Sequence, residues 1–373
     1  MFLAWKELTH SKFRYMMMSM IIILIAWLVF ILAGLGNGLS TLSAATIKNI
    51  DAEHVVYEET AGATFSKSLL SEDLQTDLEK QKGLDKIAAF GASMASVAKT
   101  KTKDANEKVD TAFIGLNEDA YVFPKLTEGK KIQKSDEFGV VVNDTLKDEG
   151  YKLGDQLIVS NSTMKLKIVG FVNNETYNHL PVVFMNLDTW RDYQYAAPGS
   201  DNEVNNPVQA FFIKGDNVDA EKVEKAVADI HVATKSEAIN GMPGYVEENG
   251  TIMMMLAFLV VISAFIIAVF FYVITMQKTQ QFGVMKAIGA SNGFIARSIV
   301  SQVFILSVIG IGLGVVLTYL TALALPEGMP FNLDTTMVVI YAVVLLVIAL
   351  LSSIISVRQI VKIDPLTALG RVE

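Results

Sequence analysis

The chain has 373 residues, of which 51% are hydrophobic, no cysteine, and a formal net charge of −8 at pH 7. The acidic balance argues against nucleic acid as a partner, because a phosphate backbone attracts basic surfaces. The absence of cysteine excludes disulfides as a source of stability.

Four long apolar runs divide the chain. They span 16–36, 252–276, 299–325 and 337–357, and none contains Asp, Glu, Lys or Arg. A run of about 20 such residues crosses a hydrocarbon core of about 30 Å as a helix. The fold class we predict is therefore membrane α-helical, with four transmembrane helices and a large extracytoplasmic α+β domain, 37–251, inserted between helices 1 and 2.

The first run has to be distinguished from a signal peptide, since basic residues precede it and Ser43-Ala44-Ala45 offers small residues for cleavage. Its length exceeds the 7–15 residues usual for the apolar core of a signal peptide, and three further runs follow it. We therefore expect it to be retained as a helix.

The charges predict the orientation. The short segments 1–15, 277–297 and 358–373 carry nine Lys or Arg against three Asp or Glu, and the connector 326–336 has two acids and no cation. By the positive-inside rule, both termini and the 277–297 loop are cytoplasmic. The inserted domain, with 22 Lys or Arg against 34 Asp or Glu, then faces outward.

The inserted domain is predicted to hold two subdomains. The portion at about 120–215 is rich in strands, whereas 50–119 and 216–245 mix strands with helices. Helical spacing covers 68–83 and 219–230. Predicted strands are 54–58, 108–116, 139–142, 156–159, 165–172, 182–185 and 209–213.

No enzyme site stands out in the sequence. It has no GxxxxGK[ST] loop for ATP phosphates, and its four histidines do not pair at metal-ligand spacing. The glycine-rich stretch 34–38 closes an apolar run, and Gly310 and Gly314 form a small-xxx-small pair. Both patterns predict close helix packing instead of nucleotide binding.

The most specific local pattern lies in the loop 277–297. Phe282, Met285 and Ile288 recur on one stripe of a helix, with lysines off the stripe. A soluble partner could bind such a stripe in a groove, and a helix lying flat in the headgroup layer is the alternative. The Gly-Ala-Ser that follows predicts a tight turn into the third apolar run.

These residues carry a family resemblance. The run FGVMKAIGAS at 282–291 and the segment KIDPLTAL at 362–369 resemble the signature and closing elements of the MacB/FtsX-type ABC transporter permeases. Gln281 stands where that family commonly has an acidic residue, and Lys286 where it commonly has Arg. The layout of one helix, a large outer domain and three helices matches the family over the whole chain.

The resemblance implies a permease that works as a homodimer with two copies of a cytoplasmic ATPase, which binds ATP and Mg²⁺ while this chain holds no permanent cofactor. ATP-driven closure would act through a coupling helix and a cytoplasmic interfacial helix at 1–15 on the outer domain. The dimer contact is expected on the first two membrane helices. The implied ATPase-coupling residues are Lys278, Phe282, Gly283, Met285, Lys286, Ile288, Gly289, Ala290 and Ser291.

A narrower resemblance is carried by FLAWKELTHSKFRY at 2–15, by AFIIAVFFYVITMQKTQQFGVMKAIGAS at 264–291 and by KIDPLTALG at 362–370. These segments are similar to the haem-exporting permeases of Gram-positive bacteria. The similarity implies a multi-pass protein of the cell membrane that exports haem or a similar amphiphile. Export of a peptide, macrolide or lipid-type substrate, and an FtsX-like regulator without transport, are the alternatives.

A haem site is expected near the outer ends of the first two membrane helices, because haem would enter there from the outer leaflet. Haem iron takes His, Met, Cys or Tyr ligands, which makes Tyr245 the leading candidate. A methionine at a helix end more often packs, and a tyrosine at a membrane boundary more often belongs to the aromatic belt. The candidates there are Asn37, Tyr245, Glu247, Glu248, Met253, Met254 and Met255, and Tyr177 and His179 are further candidates for a hand-off site in the outer domain.

Overall fold

The computed structural model describes residues 12–99, 108–133, 136, 138–326 and 329–361. These residues form two compact units. The membrane unit lies within Met1–Gly38 and Gly250–Glu373, and the inserted domain is Leu39–Asn249. Most of the predicted interfacial helix, and the closing element at 362–369, lie outside the described residues.

The helices include four that are long and apolar enough to cross a membrane, which confirms the predicted layout. In chain order the helices are α1 Lys12–Asn49, α2 Leu74–Glu79, α3 Leu187–Gln194, α4 Ala220–Ala226, α5 Lys235–Asn240, α6 Tyr245–Gln277, α7 Thr279–Ala287, α8 Asn292–Ala324 and α9 Thr335–Val361. The candidate membrane spans belong to α1, α6, α8 and α9. Helices α1 and α6 run on into the inserted domain, beyond their apolar stretches.

Close packing of α8 on α1 depends on glycine. A Cβ atom at Gly310 would lie 2.6 Å from Ile22 Cγ2, and one at Gly314 would lie 2.7 Å from Ala26 Cβ. Because both distances are too short for real atoms, only glycine allows this approach. The predicted role of these two glycines in helix packing is confirmed.

The inserted domain is built on one mixed sheet of 11 strands. Along its main path the strand order is β13-β1-β12-β3-β4-β10-β6-β8-β5, with β7 and β9 at its sides. The strands of the domain are β1 His54–Glu58, β2 Leu70–Ser71, β3 Lys86–Ala98, β4 Val109–Leu116, β5 Leu126–Gly129, β6 Gly139–Asn143, β7 Gln156–Val159, β8 Lys165–Val172, β9 Thr176–Tyr177, β10 Leu180–Asn186, β11 Pro207–Val208, β12 Ala210–Lys214 and β13 Ile230–Thr234. The short β2 and β11 pair separately.

Strand β3 joins the two halves of this sheet. Its first residues, from Lys86 to Phe90, pair with β12, and the following residues, from Gly91 to Val97, pair with β4. The strand-rich portion and its flanks are therefore joined through one strand, and their division into two subdomains stays a prediction. The predicted helix at 68–83 is wrong over its first half, because Leu70–Ser71 pairs with Pro207–Val208 as a strand. The predicted helix at 219–230 ends at Ala226.

Small side chains on β3 and β4 make room for one large one. Gly91 and Gly115 are paired partners in the sheet, and a Cβ atom on either would lie within 2.6 Å of Trp190. Trp190 is fully buried on α3, and its Nε1 donates to Ser93 Oγ at 3.1 Å. The sheet can therefore be covered by α3 only because these positions lack side chains.

We expect Gly314→Val to lower the melting temperature of the purified protein, because its branched side chain would overlap Ala26 and the backbone of α1. Overpacking of this kind costs about 1–3 kcal/mol. Gly312→Val is the matched control, since a Cβ atom there meets nothing within 4 Å. Thermal unfolding in detergent compares the two variants. Equal melting temperatures would contradict the close α1–α8 contact.

Candidate functional site

Three of the candidate residues bond to neighbouring serines of α1 in the inserted domain, His179 and Glu248 to Ser43 and Tyr245 to Ser40. His179 Nε2 lies 3.1 Å from Glu248 Oε2. Ser43 Oγ lies 3.0 Å from the same imidazole nitrogen and donates to Glu248 Oε2 at 2.9 Å. Near the start of α6, the hydroxyl of Tyr245 is 2.9 Å from Ser40 Oγ. We call these five residues, together with Lys48, the junction cluster.

Lys48 binds the tyrosine side of this cluster. Its ammonium group donates to Ser40 Oγ at 2.8 Å and lies 5.4 Å from the centre of the Tyr245 ring, within the range of a cation–π contact. Tyr245 is only 8% exposed, whereas the side chain of His179 is 41% exposed. A ligand approaching the cluster would therefore reach the imidazole before the phenol.

A tight hairpin turn places His179 in this cluster. Tyr177 and Leu180 are paired across β9 and β10, so Asn178 and His179 form a two-residue turn, with φ of 50° and 64°. Positive φ at both central positions defines a type I′ turn, which usually reads Asn-Gly. A left-handed histidine costs about 1 kcal/mol or more. The contacts of its side chain with Ser43 and Glu248 give a physical reason for histidine here.

The cluster does not have the geometry of a hydrolase. In a Ser-His-acid triad the serine and the carboxylate bond to opposite nitrogens of the imidazole. Here Ser43 and Glu248 both face Nε2 of His179, so no relay of nucleophile, base and acid is formed. Within the described parts of the chain, no group of three or more His, Asp or Glu side chains could hold a metal ion.

The other candidates lie elsewhere. Tyr177 is buried, with its ring 6.3 Å from that of Phe65, and burial raises the pKa of its phenol. A raised pKa disfavours the phenolate form that binds iron. Glu247 is exposed on α6. In the membrane unit, Asn37 Nδ2 donates to the Asn332 carbonyl at 3.0 Å, and Met253–Met255 are exposed on α6.

Sequence reasoning missed three members of the junction cluster: Ser40, Ser43 and Lys48. A signal was present, because the two serines stand one helical turn apart just beyond the first apolar run. Their partners in the β9–β10 turn and on α6 are more than 130 residues away in the chain. Only the fold brings them together.

The coupling segment is helical, and part of its predicted apolar stripe packs against α8. Its apolar residues Phe282 and Met285 pack against Ile295 and Ile299 of α8, and Phe282 is only 4% exposed. Phe282 is thus covered by its own chain, and its contact with a partner stays a prediction. Spacing defines an apolar face, but it cannot tell whether the same chain or a partner covers that face. Ile288 is 80% exposed and remains open for contact.

The end of α7 is a tight turn, as the Gly-Ala-Ser sequence predicts. Gly289 has φ of 98°, a left-handed value that suits glycine at a helix end. Ser291 then caps α8, accepting a hydrogen bond from the Phe294 amide at 3.2 Å. The three residues fix the direction in which α8 follows α7.

Lys278 connects three helices at the start of α7. It is 5% exposed, and its ammonium group donates to the hydroxyl of Tyr15 on α1 and to Gln302 Oε1 on α8, the latter at 3.3 Å. Tyr15 also donates to Gln302 Oε1, at 3.2 Å. Buried charge needs such hydrogen bonds, so Lys278 ties the α6–α7 link to α1 and α8.

Two protein families match the chain. Residues 253–365 match the FtsX-like permease C-terminal family, and residues 16–230 match the MacB-like periplasmic core domain. The protein named "Putative hemin transport system permease protein HrtB" from Staphylococcus haemolyticus is 27% identical over 372 residues, covering 100% of this chain and 99% of the relative. Its namesake from Staphylococcus epidermidis is 27% identical over 369 residues, covering 99% of each. An "Uncharacterized ABC transporter permease" of Mycobacterium tuberculosis is 24% identical over 381 residues, again covering 99% of each.

We expect Lys278→Met to loosen the α6–α7 link, because it removes the donor shared by Tyr15 and Gln302. Loss of one partner of a buried polar group costs about 1–3 kcal/mol. Lys286→Met, in the same segment but half-buried, is the matched control. Limited proteolysis within 277–291 and the melting temperature report the change. Identical behaviour of the two variants would show that Lys278 does not hold the link.

Proposed function

The chain belongs to the FtsX-like permeases that carry a MacB-like periplasmic core domain, and from that membership we propose that it is the permease subunit of an ATP-driven ABC exporter of haem or a similar amphiphile. The chain is proposed to work as a homodimer with two copies of a separate ATPase. Both termini and α7 would lie in the cytoplasm, as the distribution of Lys and Arg indicates.

Energy for transport has to come from a partner. The sequence contains no P-loop, and the cluster of Ser43, His179 and Glu248 lacks the geometry of a hydrolytic site. Helix α7 and the turn after it are proposed as the contact with the ATPase. Ile288 and Lys286 would form its outer face, while Phe282 and Met285 would carry movement into α8.

Haem is proposed as the substrate on two grounds. The two staphylococcal relatives, similar over their full length, are named for hemin transport. The junction cluster also holds a histidine at Ser43 and a tyrosine at Ser40, one helical turn apart on α1, and both residue types are ligands of haem iron. We propose that His179 Nε2 meets the iron first, since it is exposed, and that Tyr245 becomes available when its bond to Ser40 opens. The observation that carries this assignment is the convergence of His179, Glu248 and Tyr245.

We expect the purified permease to bind haem saturably, and His179→Ala to raise the apparent Kd at least about tenfold, which corresponds to about 1.4 kcal/mol. Titration followed by the Soret band measures the affinity. Tyr245→Phe keeps the ring and removes only the hydroxyl, so a loss of affinity in this variant would assign a role to the oxygen.

Matched controls exist for both substitutions. His231 is also a histidine paired with a glutamate, 2.9 Å from Glu224, in the same domain, so His231→Ala tests the general effect of losing such a pair. Tyr57→Phe tests the loss of a buried hydroxyl. Equal effects of His179→Ala and His231→Ala would remove His179 from the site. Wild-type protein that binds no more haem than empty micelles would overturn haem as the substrate and favour a peptide, macrolide or lipid.

The ATPase contact has its own test. We expect Ile288→Asp to abolish copurification of the cognate ABC ATPase, because it places a charge on the exposed apolar position of the coupling segment. Met285→Asp should have the same result but also lower the melting temperature, since Met285 packs on α8. Leu153→Asp, at an exposed apolar position in the inserted domain, is the control. Undiminished copurification with both coupling variants would contradict the assignment of α7.

A further inference from the structure

Helix α1 is broken where it enters the inserted domain. Ala44 has φ of −140° and ψ of 20°, far from helical values, although helix continues on both sides. The local sequence contains neither proline nor glycine at this point. Sharp breaks without these residues arise where outside groups insert into the hydrogen-bond ladder of the helix. The hydrogen-bond donors near Ala44 therefore determine the conformation of α1 at this break.

Four consecutive carbonyls before the break accept hydrogen bonds from outside the ladder. A helix end leaves four carbonyls in need of such partners. Lys48 Nζ donates to Ser40 O at 2.8 Å, and Thr176 Oγ1 donates to Thr41 O at 3.3 Å. The other two donors are main-chain amides of the hairpin turn, His179 N to Leu42 O at 3.2 Å and Asn178 N to Ser43 O at 2.7 Å.

The segment of α1 after the break is hydrogen-bonded to the same loop. Asn49 Nδ2 donates to the Asn174 carbonyl at 2.9 Å and to Glu175 Oε1 at 3.0 Å. Glu175 is buried, and its burial raises the pKa of the carboxyl group. The loop from Asn174 to His179 thus binds α1 on both sides of Ala44. We call residues 174–179 the clasp.

The clasp is continuous with a strand in the middle of the sheet. It continues directly into β10, which pairs in parallel with β4 and antiparallel with β6. Within β10, Val182, Val183, Phe184 and Met185 are buried. The side chain of His179 also binds Glu248, in the first turn of α6. One hairpin turn therefore connects β10 to both helices that pass between the inserted domain and the membrane unit.

We propose that the clasp is the element through which movement of α1 and α6 reaches the sheet of the inserted domain. A strand packed in a sheet moves as a unit, whereas a helix broken at Ala44 could bend freely without the clasp. Because the clasp supplies donors before the break and acceptors after it, it converts a potential hinge into a fixed connection. Its role in transport rests on the proposed function, but the rigid connection itself is a property of this chain alone.

Hydrogen exchange of the isolated permease tests the connection. The amides of Asn178 and His179 occupy a turn, where exchange is normally fast, yet we expect both to be protected by Ser43 and Leu42. The double variant Lys48→Met/Thr176→Val removes the two side-chain donors. It should speed hydrogen exchange of the Asn178 and His179 amides at least tenfold. Unprotected amides in the wild type, or unchanged exchange in the double variant, would overturn the clasp.

A second variant displaces the main-chain donors. Insertion of Gly-Gly between Asn178 and His179 lengthens the turn and moves both amides, while the strands can still pair. The same insertion between Asn161 and Ser162, in the turn between β7 and β8 where Asn161 also has positive φ, is the control. We expect only the first insertion to increase exchange of the α1 amides after Ala44. Equal exchange in the two variants would contradict the proposal.

The complex with the ATPase tests transmission. We expect ATP trapped by vanadate to change exchange in β10 of the wild-type complex, and the clasp variants to bind the ATPase yet lose this change. A response of β10 that persists in the variants overturns the clasp alone. If ATP changes hydrogen exchange at no position of the wild-type complex, the proposed transport cycle is contradicted as well. The two failures are therefore distinguishable.

Discussion

Helix α1 can join a membrane-spanning stretch to a folded domain only if the carbonyls at its break find hydrogen-bond donors. An unpaired buried carbonyl costs free energy comparable to a lost hydrogen bond, and at this break four successive carbonyls of α1 need partners. Lys48 donates a hydrogen bond to one of them, and the β9–β10 hairpin donates to the other three. The position of the hairpin, and with it that of His179, is therefore set by the hydrogen bonds that the carbonyls of α1 require.

The same chemistry holds α1 near its other end. Tyr15 is bound by Lys278 and Gln302, so the helix is tied there to the α6–α7 link and to α8. Between these two attachments α1 lies against Gly310 and Gly314 of α8, without room for further side chains. A helix fixed by polar contacts near both ends, and packed tightly between them, is suited to transmit displacement along its axis. The arrangement agrees with a permease that works by mechanical coupling.

The parts of the fold that were predictable from sequence are those that depend on a property of one segment. Uninterrupted apolar runs identify membrane helices, and short segments rich in Val, Ile and Phe identify strands such as His54–Glu58 and Lys165–Val172. Strand β3 was missed because its sequence, KIAAFGASMASVA, is dominated by small residues with low strand preference. One of these small residues, Gly91, makes room for Trp190, which lies about 100 positions further along the chain.

The candidate site shows the same division. Tyr245, Glu248 and His179 could be selected one at a time, because each residue type has a known chemistry at such a position. The serines that organise them could not, since Ser40 and Ser43 meet Tyr245, His179 and Glu248 only after the β9–β10 turn and α6 have been folded against α1. His179 occupies a backbone conformation that glycine would adopt at less cost. This histidine, with Nε2 held between Ser43 and Glu248 and yet partly open to solvent, is the residue on which the proposed haem site depends.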